Sequence, residues 1–172
     1  MEMEMEMGTQ GENSDESVIE TDPQNLKELS FWDACFGRRL DTVIKLSKEG
    51  IFNANWTHPS NYAPTGFWVA SECGRHEIVG YLLKSKLVSY SELIREDADG
   101  RTPLYMASKN NYLDVVKFLL GFSPNWNVKK KCGFEKKTAR EIARRGSPVA
   151  ELIGEYEIDP RKTMLKLRME LS

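Results

Sequence analysis

Histidine is almost missing from these 172 residues, and the two present, His58 and His76, have no patterned serine, cysteine or carboxylate partner. That removes the acid–base and triad chemistry that histidine most often carries. Cysteine is sparse too. Cys35, Cys73 and Cys132 are an odd count with no close pair, so neither a disulfide framework nor a zinc knuckle is indicated. No apolar run approaches the ~20 residues that span a bilayer, and the N-terminus is acidic where a secretory signal would start positive. Phosphate-cradling glycine loops, paired-carboxylate motifs and metal-ligand spacings are lacking as well. The expectation is a soluble intracellular protein, cytoplasmic or nuclear, without catalysis, cofactor or metal.

Basic residues are absent from one end and dense near the other. Met1 to Asn25 holds eight acids (Glu2, Glu4, Glu6, Glu12, Asp15, Glu16, Glu20 and Asp22) and no Lys or Arg, which leaves about +6 on the remainder of a chain whose net charge is -2. This segment opens with the repetitive MEMEMEMG and has little to bury, so residues 1–25 are predicted to be a disordered acidic tail. Lys129, Lys130, Lys131, Lys136, Lys137, Arg140, Arg144 and Arg145 cluster in sequence, interrupted by Glu135 and Glu141.

What the chain does contain is self-similarity. TGFWVASECGRHEIVGYLL matches TPLYMASKNNYLDVVKFLL position by position, with Thr65 on Thr102, Trp68 on Tyr105, Ala70-Ser71 on Ala107-Ser108 and Leu82-Leu83 on Leu119-Leu120. The offset is 37 residues. A weaker copy lies 36 residues earlier, placing Trp32 on Trp68 and Ala34 on Ala70, and a fourth puts Thr138 on Thr102 and Ala143 on Ala107. One such unit cannot bury its own apolar face, so the copies must stack. Thr102 can cap a helix whose first position Pro103 suits, because proline has no amide hydrogen to leave unpaired. Ile78-Val79 with Leu82-Leu83, and Val115-Val116 with Leu119-Leu120, have the spacing of a buried helical face.

At these residues the chain resembles the ankyrin repeat family, whose unit of about 33 residues is a turn plus two helices opening on T-P-L-H-x-A. The resemblance covers Leu29 to Tyr156. It implies an all-α solenoid of about four right-handed, stacked helix–turn–helix units over residues 26–158, with extended fingers between repeats. Trp32, Trp68 and Tyr105 stand at the family's histidine, where an aromatic ladder would replace its polar bond. The second repeat has Gly66 for proline, the first lacks the Thr-Pro start, and the fourth has a shortened turn at Gly146-Ser147-Pro148.

The resemblance further implies a protein-binding module, expected to be a monomer, with a concave surface of finger tips and exposed first-helix positions. Residue by residue this assigns Asn61, Tyr62, Pro64, Glu72 and Cys73 in the second repeat and Ala98, Asp99, Arg101, Lys109 and Asn110 in the third. The fingers span Asn53 to Pro64, Ser85 to Gly100 and Asn125 to Lys137, and loops on a rigid scaffold are where binding residues concentrate. Trp56, His58 and Trp126 are added as candidate aromatic anchors. Trp56 and Trp126 could equally pack the finger bases, and Asp99, Lys109 and Asn110 could simply solvate the surface. An alternative function is electrostatic binding of nucleic acid or anionic lipid by the Lys129–Arg145 region, which no nucleic-acid motif accompanies. Residues 159–172 read either as a helix capping the exposed side of the fourth repeat, opened by Asp159-Pro160 with Met164, Leu167 and Leu171 on one face, or as a strand-like peptide ligand.

Overall fold

A computed structural model describes residues 23–50, 53–59, 64–123 and 125–172, so most of the acidic tail, Met1 to Asp22, lies outside the described residues. Four helix pairs follow one another: α1 (Pro23–Phe36) with α2 (Leu40–Glu49), α3 (Gly66–Glu72) with α4 (His76–Lys84), α6 (Pro103–Lys109) with α7 (Leu113–Phe122), and α8 (Ala139–Ile142) with α9 (Pro148–Ile158). A short α5 (Tyr90–Leu93) lies in the second finger, and α10 (Pro160–Glu170) closes the chain. First helices pack in one layer, α1 on α3, α3 on α6 and α6 on α8; second helices form the other, α2 on α4, α4 on α7 and α7 on α9.

Local chemistry sets each unit. The Thr65, Thr102 and Thr138 hydroxyls accept the backbone N–H groups of Trp68, Tyr105 and Glu141, each at 3.2 Å, so one capping device starts three successive first helices. At Thr138 the box is complete, because Glu141 accepts the Thr138 amide at 2.8 Å. The turn inside every pair needs one left-handed residue. Arg38 (φ 61°), Gly74 (70°), Asn111 (59°) and Gly146 (71°) supply it, and the last arrives 35 residues after its predecessor, which is the shortened turn of the fourth repeat. Gly74 is doubly required, since a Cβ there would stand 2.8 Å from the Tyr112 ring.

Between the layers, Ala34, Ala70, Ala107 and Ala143 are all buried where first helices meet, as their alignment predicts. Gly66 departs from the family proline for a packing reason: a side chain there would meet the Phe31 ring at 2.9 Å and the Cys35 sulfur at 3.0 Å. Trp68 corrects the expectation of a ladder without polar bonds. It is fully buried, and its indole N–H donates to the Arg101 carbonyl at 3.1 Å, so the bond between repeats is kept with a different side chain.

Three expectations about the periphery change. α1 starts at Pro23, three residues inside the segment read as tail. The second finger does not spend all its extra length on exposure: α5 packs on α3, and Val88 and Leu93 join the core. α10 does form a helix, with Asp159 accepting the Lys162 amide at 3.0 Å and Met164 and Leu167 buried, but it does not cap the exposed side of the fourth repeat. It folds back across α7 and α9 in the second-helix layer. The small Gly121 gives it a seat, since a Cβ there would touch Leu167 Cβ at 3.3 Å; Arg168 donates to the Gly121 and Phe122 carbonyls at 2.8 Å each, and Lys84 donates to Leu171 O at 2.9 Å.

Candidate binding face

The first helices end on one face of the array, and the fingers rise beside them. Equivalent last positions of these helices are Phe36, Glu72 and Lys109, spaced 36 and 37 residues apart. Phe36 is 51% exposed, which is unusual for phenylalanine in an ordered helix. It stacks on Trp32 with centroids 5.9 Å apart and planes 10° from parallel. Trp32 in turn lies 4.6 Å from the His58 ring, which also meets Trp56 edge-on with centroids 5.8 Å apart. Phe36, Trp32, His58 and Trp56 thus form one aromatic strip joining the first repeat to the first finger. Trp32, His58 and Trp56 are half-buried.

Glu72 continues the line. Its backbone carbonyl accepts the Asn110 side-chain amide at 2.9 Å, but its half-buried carboxylate accepts no hydrogen bond among the described residues. Burial raises its pKa above the usual carboxylate range; Asp97 adds to the rise, while Arg101 and Lys109 oppose it. Lys109 and Asn110 are exposed, Ala98 is exposed, and Cys73 and Asp99 are half-buried.

Other assigned residues have different jobs. Pro64 is buried, with its carbonyl accepting the His58 amide at 2.9 Å, so it shapes the finger instead of offering a side chain. Arg101 is held by Asp97 at 2.6 Å and Asp99 at 3.0 Å, and Asp97 also accepts the Arg101 and Asp99 amides at 2.8 and 3.0 Å. That network braces the finger. Trp126 takes its packing alternative: it is 8% exposed, its indole N–H donates to Leu119 O at 2.7 Å, and its amide donates to the Tyr156 hydroxyl at 3.2 Å. A buried indole cannot serve as an exposed anchor. Asn61 and Tyr62 lie outside the described residues.

A cleft of about 220 Å³ separates the second and third fingers, with Tyr90 and Ile94 at its mouth and Tyr105, Trp126 and Val128 inside. It is smaller than the roughly 300–1,000 Å³ of small-molecule sites and suits a single side chain. The basic residues divide into two groups. Lys129, Lys130, Lys131, Lys136 and Lys137 belong to the third finger, where Lys130 pairs with Glu96 and Lys137 with Glu135. Arg140, Arg144 and Arg145 lie on the outer end of the fourth repeat, Arg140 bound to Glu157 at 2.9 Å. Burial pushes the Cys35, Cys73 and Cys132 thiols upward, which keeps them protonated and poor as nucleophiles. Among the described residues no helix is long and apolar enough to cross a membrane, and no cluster of three potential metal ligands occurs.

The family model for ankyrin repeats, in three copies, matches residues 31–132, more than half of the chain. The chain belongs to the ankyrin-repeat family. The match stops before α8 and α9, yet these stack on α6 and α7 as the preceding pairs do, which makes a fourth unit. A curated relative, the phosphate system positive regulatory protein PHO81 of Saccharomyces cerevisiae, is 39% identical over 85 residues of alignment, which covers 46% of this chain and 6% of that protein. The crystal structure of the human ASB11 ankyrin repeat domain superposes with a TM-score of 0.58 at 21% identity, over 73% of this chain and 52% of that one. The chain therefore spans a small fraction of the curated relative and about half of the solved domain. Ankyrin repeats generally mediate protein–protein interaction and are typically non-catalytic.

Proposed function

We propose that this ankyrin-repeat protein binds a partner protein on the face formed by its first-helix ends and fingers, with the aromatic strip of the first repeat as its energetic centre. The supporting observation is that strip: four contiguous aromatic rings, Phe36 largely exposed and the other three residues partly so, where aromatic residues dominate interface energies. The Glu72 carboxylate, at the equivalent position of the next repeat and partly exposed, suits a cationic or amide-donating group on the partner. Phe36→Ala with Trp56→Ala should leave helical content nearly unchanged and weaken affinity for a partner recovered from native cells by ~2 kcal/mol or more. Unaltered affinity would move the site to another surface.

Glu72 also gives a separation of stability from binding. Because its pKa is raised in the folded state, its ionised form costs stability above that pKa, and the cost is relieved as pH falls through it. Glu72→Gln removes the charge but keeps the shape. The variant is expected to melt no lower than wild type at neutral pH while binding the partner more weakly, as measured by thermal denaturation and titration calorimetry. A lower melting temperature with unchanged binding would make Glu72 structural.

A further inference from the structure

The third finger ends in a tight hairpin. Cys132 and Lys137 form an antiparallel bridge, with the Cys132 amide donating to Lys137 O at 2.9 Å and the Lys136 amide to Gly133 O at 3.2 Å. Phe134 and Glu135 are the central residues of this turn. Gly133 (φ 67°) and Lys136 (φ 51°) flank them in the left-handed region. The root of the hairpin is fixed: Cys132, Val128 and Trp126 are buried, and Gly133 lies so near Tyr105 that a Cβ would meet its hydroxyl at 3.2 Å. Phe134 itself is 85% exposed, an aromatic side chain held out on a rigid apex that no described residue covers.

Charge around the apex is one-sided. Lys129, Lys131 and Lys136 are exposed and make no ion pair among the described residues, whereas in the neighbouring finger Glu92 is matched by Arg95 and Glu96 by Lys130, and Arg101 bridges Asp97 and Asp99, leaving one negative charge there against three lysines. Glu135 is matched by Lys137. Glu141, which Lys131 and Lys137 help to keep ionised, is committed first to the Thr138 amide. The uncompensated charge of the two fingers is therefore positive, and Lys131 and Lys136 lie three and two residues from the exposed apolar tip.

We propose that this hairpin docks on an anionic lipid surface, Phe134 entering the boundary between headgroups and acyl chains while Lys129, Lys131 and Lys136 meet the lipid headgroups. An exposed apolar apex on a finger with uncompensated lysines matches a surface that is charged outside and apolar just beneath. Single-stranded nucleic acid fits less well, because successive bases need successive aromatic platforms, and here Trp126 is buried and Tyr90 is tied by its hydroxyl to Asn125 O at 3.1 Å. The aromatic strip centred on Phe36 and Trp56 lies in the first repeat and its finger, away from this hairpin, so the two sites can fail separately.

The test is co-sedimentation of the full chain with vesicles of phosphatidylcholine alone or with about 30% phosphatidylserine, at about 0.1 M salt and above. Binding is expected only to the anionic vesicles and should fall as salt rises. Replacing Lys129, Lys131 and Lys136 by Ala should lower partitioning about a hundredfold, roughly fivefold per cation. Phe134→Ala should lower it several-fold while keeping the salt dependence, and Phe134→Trp should restore it. Phe36→Ala with Trp56→Ala should bind vesicles as wild type does. Equal retention on the two vesicle types, including none on either, would overturn the proposal. So would undiminished binding by Phe134→Ala, or binding of a single-stranded RNA without binding of vesicles.

Discussion

Replacing Ala107 by glutamate is expected to cost on the order of 3–5 kcal/mol of folding stability, the scale of an uncompensated buried charge. Ala107 is completely buried in α6, between α3 and α8, at the position that Ala34, Ala70 and Ala143 occupy in the other repeats. A longer side chain has no room there, and a carboxylate finds no partner. Glu72→Ala is the control, since Glu72 is half-exposed and its carboxylate makes no hydrogen bond among the described residues. Its effect on stability should stay within about 0.5 kcal/mol. Urea denaturation of both variants checks the pair; equal midpoints would mean that the stacking register is wrong.

Trp68→Ala should be nearly as damaging, by ~3–5 kcal/mol, because it empties a fully buried indole site between two repeats. Trp68→Phe separates packing from polarity. It keeps an aromatic ring in the core but leaves the Arg101 carbonyl without the indole N–H, and should cost about 1 kcal/mol beyond the small change in volume. Thermal and urea unfolding of the three proteins give the ordering. A phenylalanine variant as unstable as the alanine variant would mean that the hydrogen bond between repeats outweighs the packing, the reverse of the order expected from burial.

How much of this is legible in the sequence depends on whether a residue answers to its near neighbours or to distant ones. Threonine caps, alanine contacts and the leucine pairs answer to their own helix and to the next repeat, and both are encoded in the 36- and 37-residue spacing. The family therefore follows from residues, and so does the helical face of Met164, Leu167 and Leu171. Where α10 lies does not, because its seat is made by Gly121 and by carbonyls 46 and 47 residues away from Arg168. Trp126 reads as an anchor because an aromatic in a finger has no periodic signal to reveal that Leu119 O and Tyr156 are waiting for it. Arg101 reads as a binding position for the same reason, its Asp97 and Asp99 partners being a matter of loop conformation. Phe36 escapes the sequence reading although a signal exists: extending the repeat alignment by one position beyond Cys35 puts it in the column with Glu72 and Lys109. Phe134 carries no such signal. Its exposure is fixed by the hairpin bridge and two left-handed residues, which the sequence spacing does not express.

The most direct test of the binding face is amide hydrogen exchange of the full chain with and without the partner recovered from native cells. Added protection is expected at the first-helix ends around Phe36, Glu72 and Lys109 and in the fingers near Trp56 to His58 and Ala98 to Arg101. Protection confined to α4, α7 and α10, in the opposite layer, would contradict a binding face built on the first helices.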